Sequence, residues 1–186
     1  MDLPIIRDPL PAFCHAERDL AEVSGIVVHY VSAVNVDHAR RFSPATVRAL
    51  LVDLNRPASA RTAFDFAPAE RQFGSYHFLI GRHGGIRELV PLPRVAWHAG
   101  VSAMHGREGC NEFCVGISLI ATHDSGFTAS QYTALARLTR ELMRLYAIDP
   151  ECILGHEHVA RPRGRKPDPG PRFDWSRLHA AVTEQA

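Results

Sequence analysis

The chain lacks long apolar runs: no apolar stretch approaches the roughly 20 residues that a membrane-spanning helix needs. Its first residues, from Met1 to Pro4, also lack the basic and apolar regions of a secretory signal peptide. We therefore expect a cytoplasmic protein without membrane contact. An excess of one charge is missing too, because 21 Lys and Arg against 20 Asp and Glu give a net charge of +1. Nucleic-acid-binding domains carry a strong basic patch, so we do not expect a nucleic-acid partner.

Paired cysteines are absent as well. Cys14, Cys110, Cys114 and Cys152 form no CxxC pair, and without a secretory signal they are expected to be buried thiols rather than disulfides. What the chain does have is 186 residues, of which 46% are hydrophobic. That is enough for one compact domain with a complete core, and we expect a monomer.

Strand and helix patterns alternate along the chain, and this predicts an α/β domain with a mixed central β-sheet flanked by helices. Such folds present polar residues in a cleft at the strand ends. We treat residues 1–23 as an N-terminal extension and 24–186 as the domain. Strands are predicted at 24–31, 76–80, 86–90, 115–121 and 152–154, helices at 44–55, 128–149 and 175–182, and long loops at 56–74 and 155–171.

Two of the eleven histidines follow apolar strand segments, His29 after 26–28 and His156 after 153–155. Strand ends are places where ligands converge. Asp168 lies in the proline-rich run KPDPGP (166–171), whose rigidity suits a fixed ligand geometry. Two imidazoles and one carboxylate are a donor set that catalytic zinc uses, with a fourth position left for water. The spacing alone is weak evidence, because a lone histidine at a strand end is more often structural.

Six segments of the sequence carry a resemblance to a known family, and they occur in order between residues 24 and 178. They resemble the N-acetylmuramoyl-L-alanine amidases of the AmpD type, which are relatives of the peptidoglycan recognition proteins. The segments are IVVHY (26–30), SYHFLIGRHGGI (75–86), AWHAGVS (96–102), GREGCNEFCVGISLIA (106–121), GHEHVA (155–160) and RKPDPGPRFDW (165–175).

The resemblance implies the fold of that family and a zinc ion held by His29, His156 and Asp168. A zinc ion in such a site lowers the pKa of a water molecule to about 7, so that it can attack an amide carbonyl. The bond would join the muramoyl lactyl group to L-alanine in a peptidoglycan fragment. Lys166 matches the family lysine that stabilises the oxyanion.

Two neighbouring positions depart from the AmpD pattern. Ser118 stands where that pattern has the glutamate that activates the water, and a neutral hydroxyl cannot replace a carboxylate as general base. Tyr76 stands where the AmpD pattern has alanine. A tyrosine at this place is similar to the phage-lysozyme and recognition-protein branches of the family. With an ordinary pKa near 10, Tyr76 is expected to orient and donate a hydrogen bond rather than act as a base. Asp168 nevertheless follows the AmpD pattern, so the site is a hybrid.

The resemblance also assigns substrate contacts to three residues. Trp97 offers a flat face for a sugar or peptide stem, and Arg107 and Asn111 offer groups that bind carboxylates and amides. Plain core packing is the alternative for Trp97. Further histidines border the motifs and are interpreted as packing or ligand-orienting residues, since another protein ligand would close the position that water needs: His77, His98 and His158.

Three functions remain open from the sequence. The first is a zinc amidase acting on soluble muropeptides in cell-wall recycling, although a phage-type lytic role would share the same sequence features. The second is a muropeptide-binding sensor that has lost turnover, which Ser118 motivates. The third is a zinc amidase redirected to another N-acyl amino acid or peptide, because the loop at 56–74 matches the family least well.

Overall fold

The computed structural model of the protein describes residues 3–18, 23–33, 37–62 and 73–183. The strands are β1 (Ile5–Arg7), β2 (His15–Glu17), β3 (Gly25–Val31), β4 (Phe78–Ile80), β5 (Ile86–Glu88), β6 (Arg94–Ala96), β7 (Ala103–Met104), β8 (Arg107–Glu108), β9 (Cys114–Ile120) and β10 (Ile153–Gly155). The helices are α1 (His38–Arg41), α2 (Pro44–Leu54), α3 (Cys110–Phe113), α4 (Ala129–Tyr146), α5 (His156–Val159) and α6 (Trp175–Thr183).

A six-stranded mixed sheet forms the centre of the domain, in the order β1-β5-β4-β9-β3-β10. The pair β4 and β5 is antiparallel, and the other neighbours in this sheet are parallel. The α/β class and the mixed central sheet predicted from the sequence are confirmed. Strand β3 lies between β9 and β10, and it is buried from Gly25 to His29 because both of its faces are covered.

Helices α4 and α6 cover one face of the sheet. Thr128 caps α4, and its hydroxyl accepts from the Gln131 backbone while the Gln131 side chain accepts from the Thr128 backbone. The capping box predicted from these two residues is therefore present. Leu135, Leu138 and Leu142 then recur at helical spacing and are fully buried against the strands. They form the largest hydrophobic cluster of the domain, together with inward residues of β3, β4 and β9.

Helix α2 packs on the opposite face, where the functional residues also lie. Ser43 caps it and Pro44 occupies its first turn, as the sequence predicted. Val47 and Leu51 bury the apolar stripe of α2 against Leu79 of β4. Of the loop predicted at 56–74, residues 63–72 lie outside the described residues.

One prediction needs correction. The segment 155–171 was predicted to be loop throughout, but His156–Val159 forms one helical turn, α5. The sequence left open whether residues 1–23 fold onto the domain, and in the described part of this segment β1 pairs in parallel with β5 as an edge strand of the central sheet. Arg18 further anchors this segment, because its guanidinium donates to the Leu92 and Cys114 carbonyls. Within the described residues 3–18, this segment thus supplies a strand of the same sheet, through pairings that no local pattern encodes.

None of the four cysteines, all of which are described, forms a disulfide; Cys14, Cys110 and Cys114 are buried and Cys152 is partly exposed. Within the described ranges, none of the helices has the length and apolar character that crossing a bilayer requires. The predicted cytoplasmic location stays a prediction.

Candidate metal centre

The register of two parallel strands places His29 and His156 side by side. Gly155 of β10 is the partner of Val28 in β3, and each of them is followed by a histidine, His29 within β3 and His156 at the start of α5. The two imidazole rings lie 4.7 Å apart between centroids, and both side chains are buried. Parallel pairing and the alternation of side chains in β3 turn His29 to the face opposite α4.

Asp168 completes the group from the loop that follows α5. Its Oδ2 lies 2.9 Å from Nδ1 of His29, and its Oδ1 lies 3.1 Å from Nδ1 of His156. The backbone carbonyl of Asp168 accepts from the Glu157 N–H, which ties the loop to α5. Gly155 makes room for the loop, since a Cβ there would lie 2.6 Å from Cδ of Pro169. The residues that the sequence singled out as metal ligands are therefore brought together.

This donor set fits a divalent metal ion. One ligand atom from each of the three residues lies within 4.8 Å of the others, and in the described part of the chain this is the one such group. Nε2 of His156 lies 3.1 Å from the Ala99 carbonyl, which can only accept, so a neutral His156 turns the lone pair of Nδ1 towards Asp168. A lone pair facing a carboxylate at this distance is repulsive unless a cation lies between them.

The protonation of the group favours the same conclusion. Burial lowers the pKa of His29 to about 4, even though Asp168 opposes this shift, so the imidazole is neutral near pH 7. Burial raises the pKa of Asp168, but the close contacts of its carboxylate with His156 and His29 outweigh this and hold that pKa below its ordinary value. Neutral imidazole and ionised carboxylate are the forms that bind metal ions.

Tyr76 and Ser118 lie against this group. The ring of Tyr76 is 5.1 Å from that of His29 between centroids. Ser118 of β9 is the register partner of His29, which places both side chains on one face of the sheet. Burial raises the pKa of Tyr76, the charge of Asp168 raises it further, and the Ser118 hydroxyl partly offsets the rise. The phenol therefore stays protonated near pH 7 and can donate a hydrogen bond.

Lys166 is exposed on the loop two residues before Asp168, and its positive charge reaches the centre, where it contributes to the lowered pKa of His29. This position agrees with the predicted stabilisation of an anion at the centre. Its role in catalysis stays a prediction.

A pocket of ≈ 310 Å³ opens beside the centre and is lined by Phe73, Trp97, Gly100 and Asn111. Phe73 and Trp97 meet edge to face with centroids 4.8 Å apart, and Phe73 is 58% exposed. An aromatic wall of this kind can pack against a sugar ring or an apolar side chain. Sequence reasoning missed Phe73, because it follows a segment without periodicity and no motif marks it.

Arg107 and Asn111, the other predicted substrate contacts, lie differently. Arg107 is exposed on β8, and its guanidinium stacks 4.1 Å above the ring of Phe113 rather than lining the pocket. Asn111 does line the pocket, but its Oδ1 accepts from two backbone N–H groups, those of His98 at 3.0 Å and Ala99 at 2.8 Å. Binding of substrate by these two side chains stays a prediction.

The three bordering histidines are set apart from the ligand group. His98 lies with Nδ1 3.1 Å from Nε2 of His29, so it contacts a ligand without joining the set. His77 accepts from the Gly116 N–H, and His158 accepts from the Gly155 N–H, so both hold the backbone of neighbouring strands.

Two imidazoles and a carboxylate, held on a mixed α/β sheet beside a tyrosine and a lysine, are a donor set that hydrolases working with a metal ion use. The sequence model of the N-acetylmuramoyl-L-alanine amidase family matches residues 19–171, and the chain belongs to this family.

Similar proteins agree with this assignment. The chain is 46% identical over 105 residues to the 1,6-anhydro-N-acetylmuramyl-L-alanine amidase AmpD of Enterobacter cloacae, and the match covers 56% of this chain and 55% of that protein. A crystal structure of a selenomethionine AmpD derivative is similar with a TM-score of 0.78 at 36% identity, covering 96% of this chain and 94% of that one. The structure of AmpDh3 of Pseudomonas aeruginosa with anhydromuramic pentapeptide is similar with a TM-score of 0.62 at 28% identity. The match covers 86% of this chain and 60% of that one. The match thus spans little more than half the length of the curated relatives.

Proposed function

We propose that this protein is a zinc-dependent amidase that hydrolyses the bond between the lactyl group of N-acetylmuramoyl or anhydromuramoyl sugar and L-alanine in peptidoglycan fragments. The observation that carries the proposal is the convergence of His29, His156 and Asp168 in a chain of the amidase family. Relatives named for cleavage of anhydromuramyl-L-alanine support the substrate class and a place in cell-wall recycling. A zinc ion held by these three residues would supply a Lewis acid and an activated water near neutral pH.

The residues around the centre suit amide hydrolysis. As the carbonyl becomes tetrahedral, negative charge develops on its oxygen, and groups aimed at that charge lower the barrier. The protonated hydroxyl of Tyr76 can donate to this oxygen, and the ammonium of Lys166 adds a positive charge at the same opening. The aromatic wall of Phe73 and Trp97 would hold the muropeptide beside the centre and exclude water from one side of it.

Ser118 supports a second candidate function, a muropeptide-binding sensor without turnover. The strand position next to His29 holds a hydroxyl, which is a poor base because its proton leaves only at high pH. Tyr76 is no substitute, since its raised pKa keeps it protonated. We favour the amidase because a metal ion can activate water without a carboxylate base.

Mass spectrometry of a purified anhydro-muropeptide separates these functions. The substrate is incubated with zinc-loaded protein, with chelator-treated protein, and with zinc-loaded Asp168→Ala. Free peptide released only by the zinc-loaded wild type would support the amidase. An intact substrate that still binds would favour the sensor, and Ser118→Glu should then create activity. Absence of binding would point to a zinc amidase for another N-acyl amino acid or peptide.

A further inference from the structure

The short segment His98–Ala99, which follows β6, contacts both histidines of the metal group. Nδ1 of His98 lies 3.1 Å from Nε2 of His29. The carbonyl of Ala99 lies 3.1 Å from Nε2 of His156. In each histidine the ring nitrogen that faces Asp168 is Nδ1, so this one segment meets the two nitrogens on the far sides of the rings.

These far-side contacts decide which ring nitrogen is free to bind a metal ion. A carbonyl can only accept, so His156 carries its proton on Nε2 and leaves Nδ1 with a lone pair. Nδ1 of His98 can accept a hydrogen bond from Nε2–H of His29, which likewise leaves Nδ1 of His29 with a lone pair. Partners of this kind fix the tautomer and the ring orientation of metal-ligating histidines, and losing one typically weakens metal binding by about 10–100-fold.

Asn111 in turn holds the segment in place. Its Oδ1 accepts from the backbone N–H of His98 at 3.0 Å and from that of Ala99 at 2.8 Å. Both partners are donors, which identifies the accepting atom as the oxygen and leaves Nδ2 free of this task. Asn111 belongs to α3, directly before β9, so it is attached to the centre of the sheet.

We infer that Asn111 is a positioning residue for the metal centre, acting through the His98–Ala99 backbone on both histidine ligands. This inference rests on the proposed zinc binding at the same centre, but not on the identity of the substrate. A substrate contact through Nδ2 of Asn111 would have no such effect on the histidine ligands. The distinction is testable, because only the oxygen is needed for positioning.

Two substitutions separate the oxygen from the amide nitrogen. Asn111→Asp keeps an acceptor oxygen in the same place and should retain zinc affinity close to that of the wild type. Asn111→Ala removes the acceptor and should weaken zinc binding by about 10–100-fold. Zinc affinity is measured by competition with a chromophoric chelator, so no substrate enters the experiment.

A second measurement reads the far-side hydrogen bonds in the zinc-loaded protein. Long-range ¹H–¹⁵N spectra of the imidazoles should show His29 and His156 with a slowly exchanging proton on Nε2 in the wild type and in Asn111→Asp. In Asn111→Ala, the Nε2 proton of at least one of the two should exchange faster with solvent, because its acceptor is displaced. The matched control is Gln131→Ala, which removes a buried amide that donates to the Ile80 and Ile120 carbonyls. It should lower the melting temperature and leave both readouts unchanged.

Several outcomes would overturn the inference. Wild-type zinc affinity and wild-type exchange of both Nε2 protons in Asn111→Ala would do so, and so would a large loss of zinc affinity in a folded Asn111→Asp. The second outcome keeps the test decisive if the alanine variant fails to fold. If the wild-type protein itself bound no zinc, both the inference and the proposed function would fail, whereas zinc binding without muropeptide cleavage would leave the inference standing.

Discussion

Replacing Gly116 by alanine probes the contact between β9 and the ring that orients His29. An ideal Cβ at Gly116 would lie 2.5 Å from Cγ and 2.7 Å from Cδ2 of His98, whereas ordinary carbon contacts begin near 3.4 Å. The buried ring would therefore have to move by about 0.9 Å to relieve the overpacking. A hydrogen bond of 3.1 Å between His98 and His29 does not survive a shift of that size, because such bonds are lost near 3.6 Å or at poor angles.

The size of the effect follows from this displacement. Inserting a methyl group into a packed interior costs about 1–3 kcal/mol. For a chain of this length each kcal/mol lowers the melting temperature by about 2–4 °C, so a fall of about 2–12 °C is expected. The lost contact to His29 should also weaken zinc binding by about 10–100-fold.

Gly85→Ala is the matched control, because a Cβ at Gly85 meets no atom within 4 Å. Thermal unfolding of the metal-free proteins and chelator competition for zinc would be measured for both variants and the wild type. We expect Gly85→Ala to behave like the wild type in both assays. If Gly116→Ala matched this control in melting temperature and in zinc affinity, the argument that the glycine makes room for His98 would be refuted.

Three further predictions concern the centre and its surroundings. Asp168→Ala should abolish tight zinc binding together with turnover, and a variant that lost turnover but kept full zinc would contradict its assignment as a ligand. Tyr76→Phe should lower kcat by about 10²-fold or more in a muropeptide assay, the loss typical of an oxyanion donor, and an unchanged rate would mean that Tyr76 only packs. Burial, aided by the charge of Arg18, lowers the pKa of His77 to about 3. As the pH falls, His77 is therefore protonated at a higher pH in the unfolded chain than in the folded protein. The free energy of unfolding of the metal-free protein should therefore fall as the pH drops from about 6.5 towards 3. Measured by urea denaturation, His77→Gln should reduce the change in this free energy with pH by up to about 1.4 kcal/mol per pH unit. An unchanged pH dependence would contradict the buried neutral state of His77.

Local sequence determined the elements whose signals lie within a few residues. The capping box of Thr128 and Gln131 and the cap at Ser43 correctly marked the starts of α4 and α2. Alternating β-branched residues correctly marked β3, and the apolar segment 115–121 marked β9. The apolar residues that mark β3 and β10 lie directly before His29 and His156, which is why the sequence alone singles out these two histidines.

Contacts between distant segments could not be predicted in this way. The pairing of β1 with β5 joins residues about eighty positions apart, and three residues of edge strand carry no distinctive pattern. Phe73 faces Trp97 across the pocket, yet nothing in its neighbours distinguishes it from a loop residue. The family resemblance assigned Asn111 to substrate binding, and only the fold shows its oxygen committed to the backbone of His98 and Ala99.

The sequence by itself determined the family, the places of the main strands and of the longer helices α2, α4 and α6, and the residue types of the metal group. The tertiary structure decided how these residues meet: the register of β3 and β10 sets His29 beside His156, and the packing of the Asp168 loop on Gly155 brings in the carboxylate. The physical reason is that the chemistry of each side chain is fixed by its residue type alone. Distances between ligands depend instead on strand pairing and close packing among segments that are far apart in the chain.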